Sequence, residues 1–566
     1  MEHAARGIMK RLARIAAVGM ILMACGSLFA NNSKISPDLQ PLLSNPSGTV
    51  NVIVQYSAPQ KCGGLLGSIL CPVVNLLGGV VNSTFTLLNA VAATVQTSNL
   101  VALSNQSNVT YISLDRSLVA TLDYTTQAVG APQAWNLGWK GTGIGIAVID
   151  SGIYLHPDLN VAGTNQSRVV YRQSFVPSVL NDDYGHGTHV AGILAGNGSS
   201  SQVPGSFRLL SGVAPNANLL DLRVLDENGA GSDSLVIAAI QQAVSLKSAY
   251  NVRVINLSVG RPIYESCALD PLCQAVETAW KEGLVVVVAA GNLGRNGYST
   301  ITAPGNSPHA ITVGCMKTNG TYSTSDDTIA SYSSRGPTYI DLTAKPDVVA
   351  PGNLVVSLLD PGSTLEAQFP ANVMQPSYYT ASGSGPAMYF QLNGTSMSTA
   401  VVAGAAAVML QQNPSLSPDT VKARLMQTAS KNFPLTSTAT DPETGIAYVD
   451  TYDTFTVGAG YMNVNAALAS TAVATGSAES PSVVYNPLLG LLNLVPGSGV
   501  VWGTNAVWGV NAVWGTTLLS GTNEILGSNA VWGTNAVWGT NAVWGTNAVW
   551  GTNAVWGTST GYGDEN

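Results

Sequence analysis

Three short segments of this chain each carry one polar side chain among small residues. They are Ala147–Gly152 with Asp150, His186–Gly192 with His186, and Gly394–Ser398 with Ser396. A serine hydroxyl becomes an effective nucleophile when a histidine takes its proton, and a carboxylate holds that histidine in the required tautomer. The segments occur in the order Asp, His, Ser, one of the orders in which hydrolases carry such a triad. The predicted chemistry is acyl transfer at Ser396, with His186 as the base and Asp150 as its partner.

Two competing interpretations of these motifs have less support. His186 and His189 form a His-x-x-His pair, but no Glu follows the first His as a zinc protease helix requires. We therefore expect His189 to be structural and hydrogen-bonded inside the fold. The sequence identifies no ligands for a metal, so any metal site is unknown. The glycines of 141–145 precede a predicted strand instead of following it, which argues against a dinucleotide-binding loop.

The elements around these residues are suited to position them. The apolar run 144–149 predicts a buried strand that ends at Asp150, and open parallel sheets carry their sites at the carboxyl ends of strands. Residues 398–412 are rich in Ala and Val and predict a long helix that Ser396 opens. The N–H groups at the start of that helix would face negative charge developing at the serine.

Further apolar runs alternate with helical patterns across the middle of the chain. The predicted strands are 219–225, 252–257, 284–290 and 311–313, and the predicted helices include 234–248 and 273–282. Continuous Val and Ile runs separated by helices predict an α/β fold, a parallel sheet sandwiched by helices.

The three motifs together resemble the subtilisin-like serine proteases, the subtilase family. The resemblance implies that Asn292, which ends an Ala-Ala-Gly-Asn segment, donates to the oxyanion together with the backbone N–H of Ser396. It also implies two walls around the substrate, which are Ser258, Val259 and Gly260 on one side and Ala289, Ala290 and Gly291 on the other. Leu293 directly follows the oxyanion Asn, which favours an apolar or aromatic residue before the cut.

The resemblance implies no cofactor for catalysis. Family members often bind structural calcium, and Asp158 in His-Pro-Asp-Leu matches one usual ligand. The following loop, 196–212, departs from the usual ligand loop, which argues against calcium at that site.

The beginning of the chain predicts export. Four basic residues up to Arg14 precede an apolar stretch at 15–29, and Ser27–Ala30 offers a small-residue cleavage site. We expect residues 1–30 to be a signal peptide and the protein to be secreted and extracellular. The alternative is a lipid anchor on Cys25, because 22–25 resembles a lipoprotein signal.

The segment 31–124 is predicted to be a small α+β propeptide. Residues 50–56 and 108–113 alternate as strands do, and 85–95 has the spacing of a helix. Small domains of this kind resemble subtilase propeptides, which implies a zymogen whose own propeptide acts as folding aid and intramolecular inhibitor. The catalytic domain would then span 125–471, followed by a linker at 472–500.

Residues 501–566 form a tail that repeats Asn-Ala-Val-Trp-Gly-Thr. A period of six keeps the Trp residues on one face of a strand but not of a helix, so either a β array or a mobile tail is compatible with it. The tail suggests contact with a cell surface or a polysaccharide, and an alternative function as an adhesive or carbohydrate-binding surface protein.

Composition and cysteines limit the remaining possibilities. The 566 residues carry a net charge of −8 with no long basic run after the N-terminus, which argues against nucleic acid and leaves proteins and peptides as substrates. Export permits disulfides, and either Cys62 with Cys71 or Cys267 with Cys273 could form one locally. Cys315 follows an apolar run and is expected to be a buried thiol.

Overall fold

The computed structural model describes residues 34–495 apart from 45, 59–77, 116, 121–127, 178–179, 322, 432, 435, 442–443 and 487–490. The predicted signal peptide, Cys62, Cys71 and the Trp-repeat tail lie outside the described residues. The chain divides into two units, Met1–Thr84 with Asn89–Leu114, and Phe85–Leu88 with Asp115–Asn566. The described residues include no helix with the length and apolar character needed to cross a membrane.

The first unit is a small four-stranded sheet with two short helices. Its elements are α1 (Gln40–Ser44), β1 (Thr49–Tyr56), β2 (Val80–Phe85), β3 (Ala90–Gln96), α2 (Leu100–Ser104) and β4 (Val109–Leu114). The strand order is β2-β3-β1-β4, with β1 antiparallel to both neighbours. Val52 and Val54 of β1 pack with Val91, Leu100 and Ile112 in one core. The strands predicted at 50–56 and 108–113 are confirmed.

The helix predicted at 85–95 is wrong, because most of that segment is strand β3. Its residues pair with β1 from Gln55 opposite Ala90 to Thr49 opposite Gln96. Ala90–Ala93 are all buried, so both faces of the strand are covered. Alanine has the highest helix propensity, but such a propensity is small compared with tertiary contacts, and pairing with an apolar neighbouring strand overrides it.

The second unit contains the remaining strands and helices. The strands are β5 (Ser117–Ala120), β6 (Gly145–Asp150), β7 (Val169–Ser174), β8 (Asn218–Arg223), β9 (Ala230–Ser232), β10 (Val252–Leu257), β11 (Val259–Gly260), β12 (Val285–Ala289), β13 (Ile311–Lys317), β14 (Thr328–Ile329), β15 (Val348–Pro351), β16 (Val355–Leu358), β17 (Val373–Met374), β18 (Tyr389–Leu392), β19 (Thr436–Thr440), β20 (Ala447–Thr451), β21 (Ser482–Asn486) and β22 (Leu491–Val495). The helices are α3 (Ala131–Asn136), α4 (His186–Ala195), α5 (Asp233–Ser245), α6 (Pro271–Lys281), α7 (Thr364–Gln368), α8 (Thr395–Gln412), α9 (Pro418–Thr428), α10 (Thr454–Val457) and α11 (Val464–Ala469).

An eight-stranded sheet forms the centre of this unit. Its order is β14-β13-β12-β10-β6-β8-β7, with β15 also paired to β13. All pairs are parallel except β13 with β14. The Val and Ile residues of β6, β10 and β12 are buried, as expected for strands covered on both faces. Helices α4 and α8 pack against each other, as do α5 and α6, and the predicted α/β fold with a central parallel sheet is confirmed.

The strand order reverses direction at β6. From β6 the chain passes to β7 and β8 on one side and then to β10, β12 and β13 on the other. Ile149, one residue before the end of β6, is level with Leu257, the last residue of β10. Asp150 and Ser258 therefore leave the sheet side by side at the switch point, where open α/β sheets bind their ligands.

The predicted linker at 472–500 is partly packed on this unit. Ser480 donates to Asp347 Oδ1 at 2.6 Å, and Val483 is 2% exposed. Further along, β21 and β22 pair as an antiparallel hairpin.

The cysteines follow the sequence expectations where they are described. Cys267 and Cys273 form a disulfide across a Cα–Cα distance of 5.2 Å, and Cys315 is a buried thiol.

Candidate active site

Asp150 and His186 meet at the carboxyl end of β6. His186 Nδ1 donates to Asp150 Oδ1 at 2.6 Å, and the Ser151 N–H donates to the same oxygen at 2.8 Å. Both side chains are at most 1% exposed. Because the carboxylate accepts from Nδ1, the imidazole keeps its proton there and Nε2 is the nitrogen that can act as a base.

Gly187 lets α4 begin this close to the strand. A Cβ at position 187 would lie 2.2 Å from the Gly152 carbonyl oxygen and 3.1 Å from Asp150 Cβ. Any larger residue would therefore push the helix, and His186 with it, away from Asp150. Steric contact therefore explains why the residue after His186 must be small.

Asp182 connects the segment that carries Asp150 with the helix that carries His186. The sequence motifs did not indicate this residue. Its buried carboxylate accepts hydrogen bonds from Ser151 Oγ at 2.7 Å and from the Gly185 N–H at 2.8 Å. It also accepts from the N–H and hydroxyl of Thr188, at 2.7 and 2.6 Å. Burial raises the pKa of Asp182, although these four hydrogen bonds act against the rise. One carboxylate thus binds both the turn after β6 and the first turn of α4.

Ser396 lies in the first turn of α8 and contacts the end of β10. Its hydroxyl donates to the Ser258 carbonyl oxygen at 3.1 Å, while Ser258 Oγ donates to the Ser396 carbonyl oxygen at 2.9 Å. Gly394, with φ of 148°, precedes the helix in a conformation that side chains disfavour. This reciprocal pair fixes the start of α8 against the segment that is predicted to bind substrate.

Asn292 lies beside the same turn of α8. Its Oδ1 accepts from the N–H and from the hydroxyl of Thr395, both at 3.0 Å. The Thr395 hydroxyl also accepts from the Gly291 N–H at 3.1 Å. Since the amide oxygen is engaged by Thr395, the amide nitrogen of Asn292 is directed away from it and is available to donate to a ligand.

The two predicted substrate walls both face Thr302. An added Cβ would lie 2.6 Å from Thr302 Oγ1 at Gly260 and 2.7 Å from its Cγ2 at Gly291. Thr302 also donates through its N–H and hydroxyl to the Ala290 carbonyl oxygen, at 2.9 and 3.2 Å. Thr302 therefore lies between the walls. A single threonine carries no sequence pattern that would have identified it.

A strand of this chain occupies the place beside β11. In the small sheet β11-β5-β9, β5 is antiparallel to both neighbours, with Val119 opposite Gly260 on one side and Ala230 on the other. Just before β5, the Asp115 carboxylate accepts from the Ser234 N–H at 2.7 Å, in the first turn of α5. The gap between β9 and β11 thus accepts one extended segment.

His189 is structural, as expected. Its Nε2 lies 3.2 Å from the Val355 carbonyl oxygen and 3.1 Å from that of Phe390. Burial, reinforced by the neighbouring His186, lowers the pKa of His189 to about 3. The ring is therefore neutral at physiological pH and holds α4 against β16 and β18.

The surroundings of Asp158 do not fit calcium. One carboxylate oxygen accepts from the Ser199 hydroxyl and the Ser200 N–H at 3.0 and 2.7 Å, and the other accepts from the Tyr389 hydroxyl at 2.7 Å. Calcium needs oxygen ligands, whereas these groups present hydrogens to the carboxylate. Protein donors thus occupy both oxygens that a cation would use.

A second possible metal group is also unsuitable. Within the described part of the chain, Cys267, Cys273 and Glu277 bring three ligand atoms within 4.8 Å of one another. Two of these atoms are the sulfurs of the disulfide, and a disulfide supplies no thiolate to a metal.

Comparison with known proteins gives consistent matches. Residues 141–460 match the model of the subtilase family. The chain is 39% identical to serine protease AprX of Bacillus subtilis (strain 168) over 363 residues, 62% of this chain and 76% of that protein. It is 36% identical to subtilisin E of the same strain over 366 residues, 63% of this chain and 80% of that protein.

A solved structure shows the same fold. Fervidolysin from Fervidobacterium pennivorans, a keratinolytic enzyme related to subtilisin, superposes with a TM-score of 0.55 at 21% identity. The match covers 80% of this chain and 64% of that one. At this identity the likeness concerns the fold alone.

Replacing Asp182 should impair both the fold and the site. In Asp182→Ala, the donors of Ser151, Gly185 and Thr188 lose their acceptor, at a cost of about 1–3 kcal/mol for each buried donor left unpaired. The released first turn of α4 should lower kcat/KM by about 100-fold, because small displacements of a catalytic group are costly. Thermal unfolding and peptide hydrolysis measure the two effects.

The control for this variant is Asp453→Ala. Asp453 is a buried carboxylate that caps α10 through the N–H groups of Phe455 and Thr456. Its loss should lower the melting temperature and leave kcat/KM nearly unchanged. Equal losses of activity in both variants would show that Asp182 acts only through overall stability.

Removal of calcium should have no effect through Asp158. A cation bound to the native state stabilises it by mass action, so a chelator would lower the melting temperature if calcium were bound there. We expect the same melting temperature in EDTA and in millimolar calcium. A drop in EDTA that calcium reverses, and that Asp158→Asn abolishes, would contradict this expectation.

Proposed function

This chain belongs to the subtilase family and is a subtilisin-like serine endopeptidase, and from that premise we propose that it is secreted as a zymogen and cleaves proteins through an acyl-enzyme on Ser396. The observation that carries the proposal is the buried hydrogen bond of 2.6 Å between His186 Nδ1 and Asp150, at the switch point of the sheet. Ser396 contacts the strand next to the one that carries Asp150.

The proposed reaction begins when substrate displaces the present partner of the nucleophile. The Ser396 hydroxyl now donates to the Ser258 carbonyl oxygen, an acceptor that a substrate N–H would take in an added strand. The hydroxyl is then released to give its proton to His186 Nε2 as its oxygen attacks the scissile carbonyl carbon. Asp150 stabilises the imidazolium, which next protonates the leaving amine. Water hydrolyses the acyl-enzyme by the same steps.

The oxyanion would be stabilised from two directions. The Asn292 amide nitrogen donates from one side and the Ser396 N–H, in the first turn of the 18-residue helix α8, from the other. Thr395 supports this arrangement because it holds the Asn292 oxygen. Donors fixed before the reaction are worth several kcal/mol, because they need no reorganisation as the charge develops.

The walls of the first side-chain pocket suit an apolar or aromatic residue. Ala289 and Ala290 are almost fully buried small residues, and Thr302 is directed into backbone hydrogen bonds. Leu293 follows Asn292 where some relatives carry an acidic residue. A basic side chain would meet no carboxylate from these residues.

The zymogen proposal is supported by β5. Strand β5 pairs with both β9 and β11 as a bound peptide would, and Asp115 contacts the first turn of α5. A propeptide that ends in this segment blocks the slot until it is cut. Parallel sheets fold slowly because their contacts are non-local, so a bound strand that organises the slot would also assist folding.

Secretion remains part of the proposal. It agrees with the export signal predicted at 1–30, and a lipid anchor on Cys25 is its alternative. Contact of the Trp-repeat tail with a cell surface or polysaccharide is a separate suggestion of the sequence, which no contact among the described residues favours.

Ser396→Ala should abolish peptide hydrolysis. Because members of a triad act as a unit, we expect kcat to fall by about 10⁵–10⁶-fold, and His186→Ala to cost nearly as much. Ser398→Ala is the matched control, because Ser398 lies in the same helix as Ser396 but its hydroxyl donates to the Ala350 carbonyl oxygen in β15. Hydrolysis of casein and of a peptide anilide measures the loss, and near-normal activity in Ser396→Ala would refute the assignment.

The maturation site follows from the register of β5. Val119 is opposite Gly260, and Ala120, the last residue of β5, is opposite Val259, the neighbour of Ser258. Thr121 lies outside the described residues, and we expect the cut after it or within the three residues that follow. Intact mass and N-terminal sequencing of the secreted enzyme locate the cut.

Ser396→Ala tests whether the enzyme performs this cut itself. The variant should accumulate with residues 31–124 still attached. Normal processing in a host without other proteases would contradict self-cleavage, and a mature N-terminus far from 121–124 would contradict the register.

A further inference from the structure

The slot for an extended peptide is bounded by two strands that are each bonded to β5. In the order β11-β5-β9, the outer strands are two strand spacings apart, about 10 Å. Once β5 has been cut away, its hydrogen bonds no longer hold β9 and β11 at this separation. Some other contact must keep the slot at the width of one strand if a substrate is to bind both edges.

Arg261 makes a contact of this kind. It directly follows β11, and its Nε donates to both carboxylate oxygens of Asp233, at 2.9 and 3.1 Å. Asp233 directly follows β9. The ion pair therefore joins the residues next to the two outer strands without passing through β5.

The same guanidinium has a second anchor. Arg261 Nη2 donates to Asp270 Oδ2 at 2.6 Å. The other oxygen of Asp270 caps α6 by accepting from the Leu272 N–H at 2.9 Å. The disulfide between Cys267 and Cys273 closes the loop that carries Asp270. Asp270 is thus held from three directions.

The backbone of Arg261 reaches the pocket as well. Its N–H donates to the Ala303 carbonyl oxygen at 3.0 Å, and its carbonyl oxygen accepts from the Ala303 N–H at 2.7 Å. Ala303 is the neighbour of Thr302, which lies between the two pocket walls. Arg261 thus directly follows β11, binds the residue after β9 through its side chain, and binds the segment behind the pocket through its backbone.

Burial and geometry require an arginine here. Arg261 is 2% exposed, and Asp233 and Asp270 are 0% exposed. Two buried carboxylates need a cation with several hydrogen-bond donors. The planar guanidinium directs donors to both carboxylates, whereas the ammonium group of a lysine concentrates its charge and donors on one nitrogen. Loss of either ion pair removes a charged partner from a buried carboxylate.

We infer that Arg261 is a positioning residue that sets the width of the substrate slot, through its ion pairs to Asp233 and Asp270. The inference rests on the proposed function, because it concerns the strand pairing of an extended substrate. We call Arg261 and its two ion pairs the clamp. The inference predicts that the clamp affects hydrolysis only of substrates that are long enough to bind both β9 and β11. A residue with only a structural role would affect long and short substrates equally.

The test compares two substrates that share one leaving group. Succinyl-Ala-Ala-Ala-Phe p-nitroanilide reaches both strands, and acetyl-Phe p-nitroanilide reaches only the first pocket. The measured quantity is kcat/KM for the long substrate divided by kcat/KM for the short one. It is determined on processed enzyme whose active sites have been titrated. Arg261→Lys keeps the positive charge but removes the planar guanidinium that reaches both carboxylates. Asp233→Asn removes the negative charge next to β9 while keeping the shape of the side chain.

The matched control is a buried ion pair at the opposite edge of the sheet. Lys345 is 0% exposed and donates to Asp347 Oδ2 at 2.7 Å, next to the amino ends of β13 and β15. Lys345→Met should lower the melting temperature and leave the substrate ratio unchanged.

We expect the ratio to fall about tenfold in Arg261→Lys and in Asp233→Asn, mainly through a higher KM for the long substrate, which is the worth of about one backbone hydrogen bond. The double variant should lose little more, because both changes break one contact. If Arg261→Lys is not secreted, Asp233→Asn still tests the clamp from the side of β9.

An unchanged ratio in a folded variant, or a parallel loss on both substrates, would overturn the inference. A wild-type enzyme that hydrolyses neither anilide would instead refute the proposed function, and the inference with it.

Discussion

The pairing of β6 with β10 is the contact on which the rest of the site depends. It aligns Ile149 with Leu257, so that Asp150 and Ser258 leave the sheet next to each other. α4 then brings His186 to Asp150, and α8 brings Ser396 to Ser258. Parallel strands expose their carboxyl ends along one edge, and the reversal of strand order at β6 leaves room there for a ligand.

Charged and polar groups around this edge are buried in sets that satisfy one another. Asp182 accepts four hydrogen bonds, Asp158 three, and Arg261 joins two carboxylates. An unpaired buried charge is expensive, so each set admits few alternative arrangements. The physical result is that the residues of the predicted site are surrounded by rigidly held groups.

One slot explains both inhibition and substrate binding in the proposed zymogen. β5 pairs with β9 and β11 through backbone hydrogen bonds, which any extended peptide can make. In this proposal, side-chain selectivity depends on the pocket beside the backbone, where Gly260, Gly291 and Thr302 meet. The inferred clamp at Arg261 would keep the slot available to the next peptide after release of β5.

Much of the catalytic unit could be predicted from the sequence because its signals are local. Continuous Val and Ile runs indicated the strands at 252–257 and 284–290 within one residue of their observed bounds. The motifs around Asp150, His186 and Ser396 consist of small residues that steric contact requires, as the close approach at Gly187 illustrates. The parallel α/β class followed from the alternation of these runs with helices.

Other features depend on contacts between residues far apart in the chain. Residues 85–95 have helical spacing, yet β3 forms there because β1 offers a partner. Asp182, Thr302 and Arg261 belong to no motif, and their positions follow from Ser151, Gly291 and Asp233, which only folding brings to them. The sequence by itself determined the chemistry and the fold class, since both reside in short patterns. The tertiary structure alone decided the support of the site and the width of its slot, because hydrogen bonds and ion pairs depend on distance in space.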